Sequence, residues 1–99
     1  MESEDFSEVE KYLLLLLSAD SNQPIPGKLW YQKELFMLSK NIPELEEETD
    51  FEPYFWGPYS ELAEEEMEEL RKLDLVEMIN TSYKLTPKGE IIAKQISLG

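Results

Sequence analysis

Leu75-Val76-Glu77-Met78-Ile79-Asn80-Thr81-Ser82-Tyr83-Lys84-Leu85-Thr86-Pro87 alternates apolar and polar residues about a short polar turn and then starts a helix. Successive side chains of a strand face opposite ways, so this alternation makes a half-buried β-hairpin with its turn at Asn80-Thr81-Ser82. Thr86 offers an N-cap hydroxyl, and Pro87 fits the first helical position, where a missing N–H is not needed. The helix that follows is expected to reach about Ser97 and to bury Ile91 or Ile92 together with Ile96.

Upstream of the hairpin, Glu61 to Leu73 has helical spacing. Tyr59, Ala63, Met67 and Leu70 form its buried stripe, with Leu62 and Leu73 on the flanks. Asp74 is the expected stop, because Asp is among the few non-glycine residues that tolerate the left-handed C′ position. Before it, Phe51-Glu-Pro-Tyr-Phe-Trp56 reads as a short strand that Pro53 confines to an edge, and Gly57-Pro58 reads as a turn. Pro43 is expected to end the preceding helix, leaving Glu44 to Asp50 as a charged loop. That earlier helix runs from about Lys28 to Asn41, with Tyr31, Leu35, Leu38 and Ile42 on one face. Trp30 and Met37 point almost opposite, beside Lys33. A helix with apolar residues on opposite sides is either central in its domain or packed against a partner.

Ser7-Glu8-Val9-Glu10 is a capping box for the first helix. Phe6, Val9, Leu13, Leu16 and Leu17 follow as a core stripe, while Leu14 and Leu15 fall off it. Ser18 to Gly27 is a loop with two prolines and a glycine. Residues 1–6 are assigned to a frayed N-terminus and 7–97 to one domain. Three helices, a short wing and a C-terminal helix, in this order, predict an α+β, mainly helical fold of the winged helix-turn-helix class.

Composition narrows the function. A chain of 99 residues buries roughly 60–65% of its extended surface, enough for one core. Its 22 Asp and Glu against 9 Lys and Arg, with no His, give a formal charge of −13 at pH 7. Apolar residues at 41% and aromatics at 11% still exceed what an acidic disordered tail carries. No Cys is present, so disulfides, thiolate metal sites and a Cys nucleophile are excluded; without His the usual general base is missing too. No glycine-rich phosphate loop or nucleophile elbow occurs. An enzyme is not expected, nor a cofactor or metal. The acidic start lacks the basic region of a secretory signal, and the longest apolar run, Tyr12 to Leu17, is far too short to cross a bilayer. A cytoplasmic protein with no membrane contact is expected.

Tyr31-Gln32-Lys33 with Leu35-Phe36-Met37-Leu38 resembles the "LQK-x-LF-L" helix of a prokaryotic winged-helix group. Phe55-Trp56-Gly57-Pro58-Tyr59-Ser60 is similar to its "YGPYS" turn. Leu70 to Val76 resembles its "L-x-x-L-G-L-I" run into the wing, with Asp74 where glycine is usual. Tyr83-Lys-Leu-Thr-Pro-Lys-Gly89 resembles its "Y-x-LT-x-KG". The group includes the Panacea-type antitoxin domains and uncharacterised archaeal and bacterial relatives. The resemblance implies a winged helix used either in DNA-linked regulation or in neutralising a toxin partner.

The charge pattern redirects that expectation. A groove-reading helix presents donors and cations to bases and phosphates. Here the corresponding helix turns Glu61, Glu64, Glu65 and Glu68 outward. Each would replace attraction with repulsion, so a solvated acidic face with a Glu68–Lys72 pair is favoured and a docking face for a basic partner comes second. The wing tip has no cation; Lys28, Lys33, Lys84 and Lys88 are the nucleic-acid contacts if there are any. Glu66 falls inside the apolar stripe and is expected to reach its edge or accept a hydrogen bond from a tyrosine. The Glu44–Asp50 run lacks the offsets and glycine of a calcium loop. The aromatics Phe51, Tyr54, Phe55, Trp56 and Tyr59 are expected in the core, for want of adjacent cations to make a base-stacking platform. The first expectation is a non-catalytic protein that binds a protein partner or dimerises through Leu14, Leu15, Trp30 and Met37. The second is a DNA-binding regulator or antitoxin subunit.

Overall fold

The computed structural model describes residues 5–98. Ser7 caps α1 (Glu8–Asn22): its hydroxyl accepts from the Glu10 amide at 3.0 Å, and the Glu10 carboxylate accepts from the Ser7 amide at 2.9 Å. That reciprocal pair is the expected capping box, and it supplies a partner for an otherwise costly buried carboxylate. Phe6 corrects the expected fraying of residues 1–6. Its ring is buried in the core, so the folded unit already includes it; residues 1–4 lie outside the described residues. The helical backbone of α1 breaks at Ala19, and Asp20, Ser21 and Asn22 all take left-handed φ values of 51°, 57° and 62°.

The loop then passes beside Tyr83. Ile25 exchanges two backbone hydrogen bonds of 2.8 Å with Tyr83 before α2 (Lys28–Ser39) begins. Tyr31 and Leu35 are buried on the inner side of α2, where the Tyr31 ring meets the Tyr83 ring edge-on at 5.1 Å. The charged loop expected at residues 44–50 is instead a helix, α3 (Pro43–Thr49). Pro43 occupies a position where it starts a helix rather than ending one, and Glu44 and Glu46 in the first turn suit the positive end of the helix dipole. Leu45 and Thr49, one turn apart, are both buried and hold α3 to the core.

β1 (Glu52–Tyr54) and β2 (Gly57–Tyr59) form an antiparallel hairpin in which Pro53 faces Pro58. Gly57-Pro58 therefore belongs to a strand, and Phe55-Trp56 is the turn. Gly57 has φ 127°, a backbone conformation few other residues adopt. Ser60 caps α4 (Glu61–Lys72), accepting from the Ala63 amide at 3.1 Å. α4 is the helix expected third in the chain, displaced by one because α3 precedes it.

At the end of α4, Asp74 takes φ 62°, its amide bonds Arg71 O and the Leu75 amide bonds Leu70 O, both at 3.0 Å. This is a Schellman stop with aspartate in the left-handed place, as expected. β3 (Val76–Ile79) and β4 (Ser82–Leu85) follow as the expected hairpin, Ile79 facing Ser82 across Asn80-Thr81. Thr86 then caps α5 (Pro87–Leu98), which buries Ile92 and Ala93 and leaves Ile91 outside. The result is an α+β architecture, mostly helical, with two two-stranded antiparallel sheets. α1 lies at its centre, against α5, α4, β4 and α2. Being covered on several sides, α1 needs Leu13, Leu14 and Leu17 all in the core.

Candidate interaction surface

Gln32 organises the base of the first hairpin. Its side chain is fully buried; its Nε2 donates to Ser60 O at 3.0 Å and its Oε1 accepts from the Ser60 amide at 2.8 Å. The amide thereby behaves as a short piece of strand joining α2 to the end of β2. The Ser60 hydroxyl donates to Thr49 O at 2.6 Å, bringing α3 into the same junction. Gln32 and Ser60, 28 positions apart, belong to the two motifs quoted above.

Beside this junction, the Glu64 carboxylate takes the Lys28 ammonium and the Tyr59 hydroxyl. Hydrogen bonds from Lys28 and then Tyr59 hold the Glu64 carboxyl below its ordinary value of 4.5. Lys28 is raised above 10.5 by the same partner, and burial followed by the Glu64 contact pushes the Tyr59 phenol up. Glu64 is thus a tie between α4, α2 and β2, which corrects its placement on a solvated anionic face. Glu61 and Glu65 remain exposed, and Glu68 is half-buried. The Glu68 carboxylate pairs with Arg71 at 2.8 Å instead of Lys72, because the i,i+3 guanidinium reaches it first.

A firmly pinned base leaves an exposed tip. Phe55 is 97% exposed and Trp56 79%, with Tyr54 also outside. This overturns the expected burial of the aromatic cluster: a two-residue turn between strands of three residues leaves Phe55 and Trp56 largely in solvent. Only Phe51 and Tyr59 are partly covered; Phe51 meets Phe36 edge-on at 5.3 Å. Trp30 and Met37, expected on the outer side of α2, are 55% and 60% exposed. Leu29 joins them, and with Trp30, Lys33, Trp56 and Pro58 it lines a hollow of about 370 Å³. Leu14 is a correction, since it is fully buried in the core; Leu15 is half-buried on α1. The surface therefore keeps Trp30 and Met37 and adds Leu29, Tyr54, Phe55 and Trp56. The sequence signal that marks the tip is Pro53 and Pro58, which bracket four residues and keep the ribbon too short to fold back.

The candidate nucleic-acid contacts do not converge. Lys28 is neutralised by Glu64, Lys33 borders the aromatic hollow, Lys84 sits on β4 and Lys88, on α5, lies 3.4 Å from Leu73 O. Among the described residues no group of carboxylates is arranged to hold a metal ion, and no helix is long and apolar enough to cross a membrane.

Glu66 accepts from the Ser7 hydroxyl at 3.0 Å, which corrects the expected tyrosine donor: the helix cap lies nearer. Burial first, then the neighbouring Glu10, Glu69 and Glu48, raises its carboxyl above 4.5 against the lowering effect of Ser7. A carboxyl raised in the folded state is penalised when ionised, so its share of stability is present in acid and lost as pH rises through the folded value. Glu66→Gln is therefore expected to raise the thermal midpoint at about pH 7 and to match the parent below about pH 4. Melts at the two pH values check this; a gain that persists in acid would assign the effect to packing.

No family model matches the chain, and no curated protein and no solved structure matches it.

Proposed function

We propose that this chain is a non-catalytic winged-helix protein that acts by binding protein through its first hairpin and the outer side of α2. The carrying observation is a hairpin pinned at its base by Gln32 and Ser60 whose tip holds Phe55 and Trp56 in solvent. Large apolar side chains held out by a rigid mount are the anchors that protein interfaces use. In the winged-helix reading, α1, α2 and α4 are the three helices, β3 and β4 the wing, and Ile25 the short third strand beside it. α3 and the aromatic hairpin are then an insertion before the third helix, and they make it a protein-binding module. The reading requires a protein at this surface, whether a second copy or a different chain. DNA contact as a regulator or antitoxin subunit is disfavoured by exposed Glu61 and Glu65 on α4 and by the scattered lysines.

The test is photo-cross-linking from the tip. Phe55→benzoylphenylalanine, irradiated in cells, is expected to yield a covalent adduct with a protein, while the same probe at Glu65 yields none. Absence of an adduct at position 55, together with micromolar duplex binding by the isolated chain at low salt, would put the regulator reading in its place.

A further inference from the structure

We propose that the partner is basic: a segment of another protein that sets an arginine or lysine head into an acidic hollow beside the hairpin and an apolar side chain into the aromatic hollow that adjoins it. This rests on the protein-binding reading above and names the chemistry of what binds. On one side of the hairpin, a hollow of about 270 Å³ is lined by Glu48, Asp50, Glu52 and Glu61, with Tyr54 and Tyr59 as its wall. The four carboxylates come from α3, the turn after it, β1 and α4, so folding alone brings them together. All four are exposed, and among the described residues none takes part in a salt bridge. The chain's own cations nearby are committed elsewhere, Lys40 to Glu46 and Lys28 to Glu64.

The wall suits a cation as well as the carboxylates do. Tyr54 and Tyr59 meet at 5.2 Å with their planes 68° apart, and the Tyr59 hydroxyl is already bound to Glu64. A guanidinium stacks on such a ring while its N–H groups reach carboxylates at the rim. Tyr54 and Tyr59 also line a second, more apolar hollow of about 350 Å³, together with Leu29, Trp56 and Pro58. The acidic and the apolar hollow therefore adjoin at the tyrosine pair, so neighbouring residues of one segment can enter both. A second copy fits poorly, since two molecules at −13 each repel on approach. A basic partner is drawn in by the same field.

The chain's two tryptophans, Trp30 and Trp56, both lie on this surface, so their indole N–H resonances report on it. The probes are three blocked hexapeptides: Gly-Leu-Arg-Leu-Arg-Gly, Gly-Leu-Glu-Leu-Glu-Gly and Gly-Ser-Arg-Ser-Arg-Gly. The first is expected to shift the Trp56 resonance with an affinity at least about tenfold above either control, falling as salt is raised. The double variant Glu52→Gln and Glu61→Gln, both exposed positions, is expected to lose that advantage while melting at the parent's midpoint. Equal binding of the glutamate peptide would overturn the basic partner and leave the interaction surface standing. Equal binding of the serine peptide, or a dimer that occupies the surface and admits no peptide, would also overturn it. Failure of the interaction surface itself is read separately, in the absence of an adduct at position 55.

Discussion

Gln32→Ala is expected to destabilise the protein by about 3 kcal/mol and to free the aromatic hairpin from the helices. Two effects add. Ser60 O keeps one donor, the Glu64 amide at 3.2 Å, but among the described residues the Ser60 amide has no acceptor other than Gln32, so it becomes a buried orphan. Such a group costs about 1–3 kcal/mol. Removing most of a fully buried side chain also leaves a cavity where α2 meets β2. Gln32→Leu fills the volume without restoring the bonds, so it is expected to recover less than half of the loss. Urea unfolding measures the energies, and hydrogen exchange of the β2 amides shows whether the hairpin loosens first. If Gln32→Leu matches the parent, the bidentate bond contributes nothing and the mount is held by packing. The functional consequence follows from the geometry: a tip on an unpinned ribbon must be ordered again at every encounter, so partner affinity is expected to fall even where the chain still folds.

Gly89→Ala is the other large effect. A Cβ at residue 89 would lie 2.0 Å from the Leu75 carbonyl oxygen and 2.9 Å from its carbon, with the Leu85 Cδ2 at 3.2 Å. The carbonyl cannot retreat, because it accepts from the Thr86 amide at 3.0 Å, and the Thr86 hydroxyl donates at 2.6 Å to Asp74 O next door. The substitution must push α5 away from the end of α4, at a cost of roughly 3 kcal/mol or more. That is a large share of the roughly 5–15 kcal/mol that holds a domain folded. Gly27→Ala is the control: its nearest neighbour would be Thr81 O at 3.8 Å, and a loss under about 1 kcal/mol is expected. Comparable denaturation midpoints for the two variants would show that α5 can shift freely. The same contact explains the glycine of the Thr86-Pro-Lys-Gly89 motif, where only a hydrogen fits over the backbone.

What could be read from residues in a row was local. The Ser7 capping box, the Asp74 stop, the β3–β4 hairpin and the Thr86-Pro87 start depend on neighbours a few positions apart, and each formed where its chemistry pointed. The surplus of anions and the outward placement of Trp30 and Met37 were equally legible. Burial was not. Leu14 and Phe55 are both large, apolar and off any simple stripe, yet one is sealed inside and the other stands in water. The difference lies in what covers each. α1 is surrounded by elements from most of the chain, whereas Phe55 sits in the two-residue turn that joins β1 to β2. Pro43 likewise suits the end of one helix or the start of another, and only the pocket that receives Leu45 chose between them. The four carboxylates around Tyr54 and Tyr59 are scattered along fourteen residues, Glu48 to Glu61, among aromatics and prolines. Becoming one hollow requires the helix, hairpin and helix to close on each other, a long-range event that no local pattern encodes.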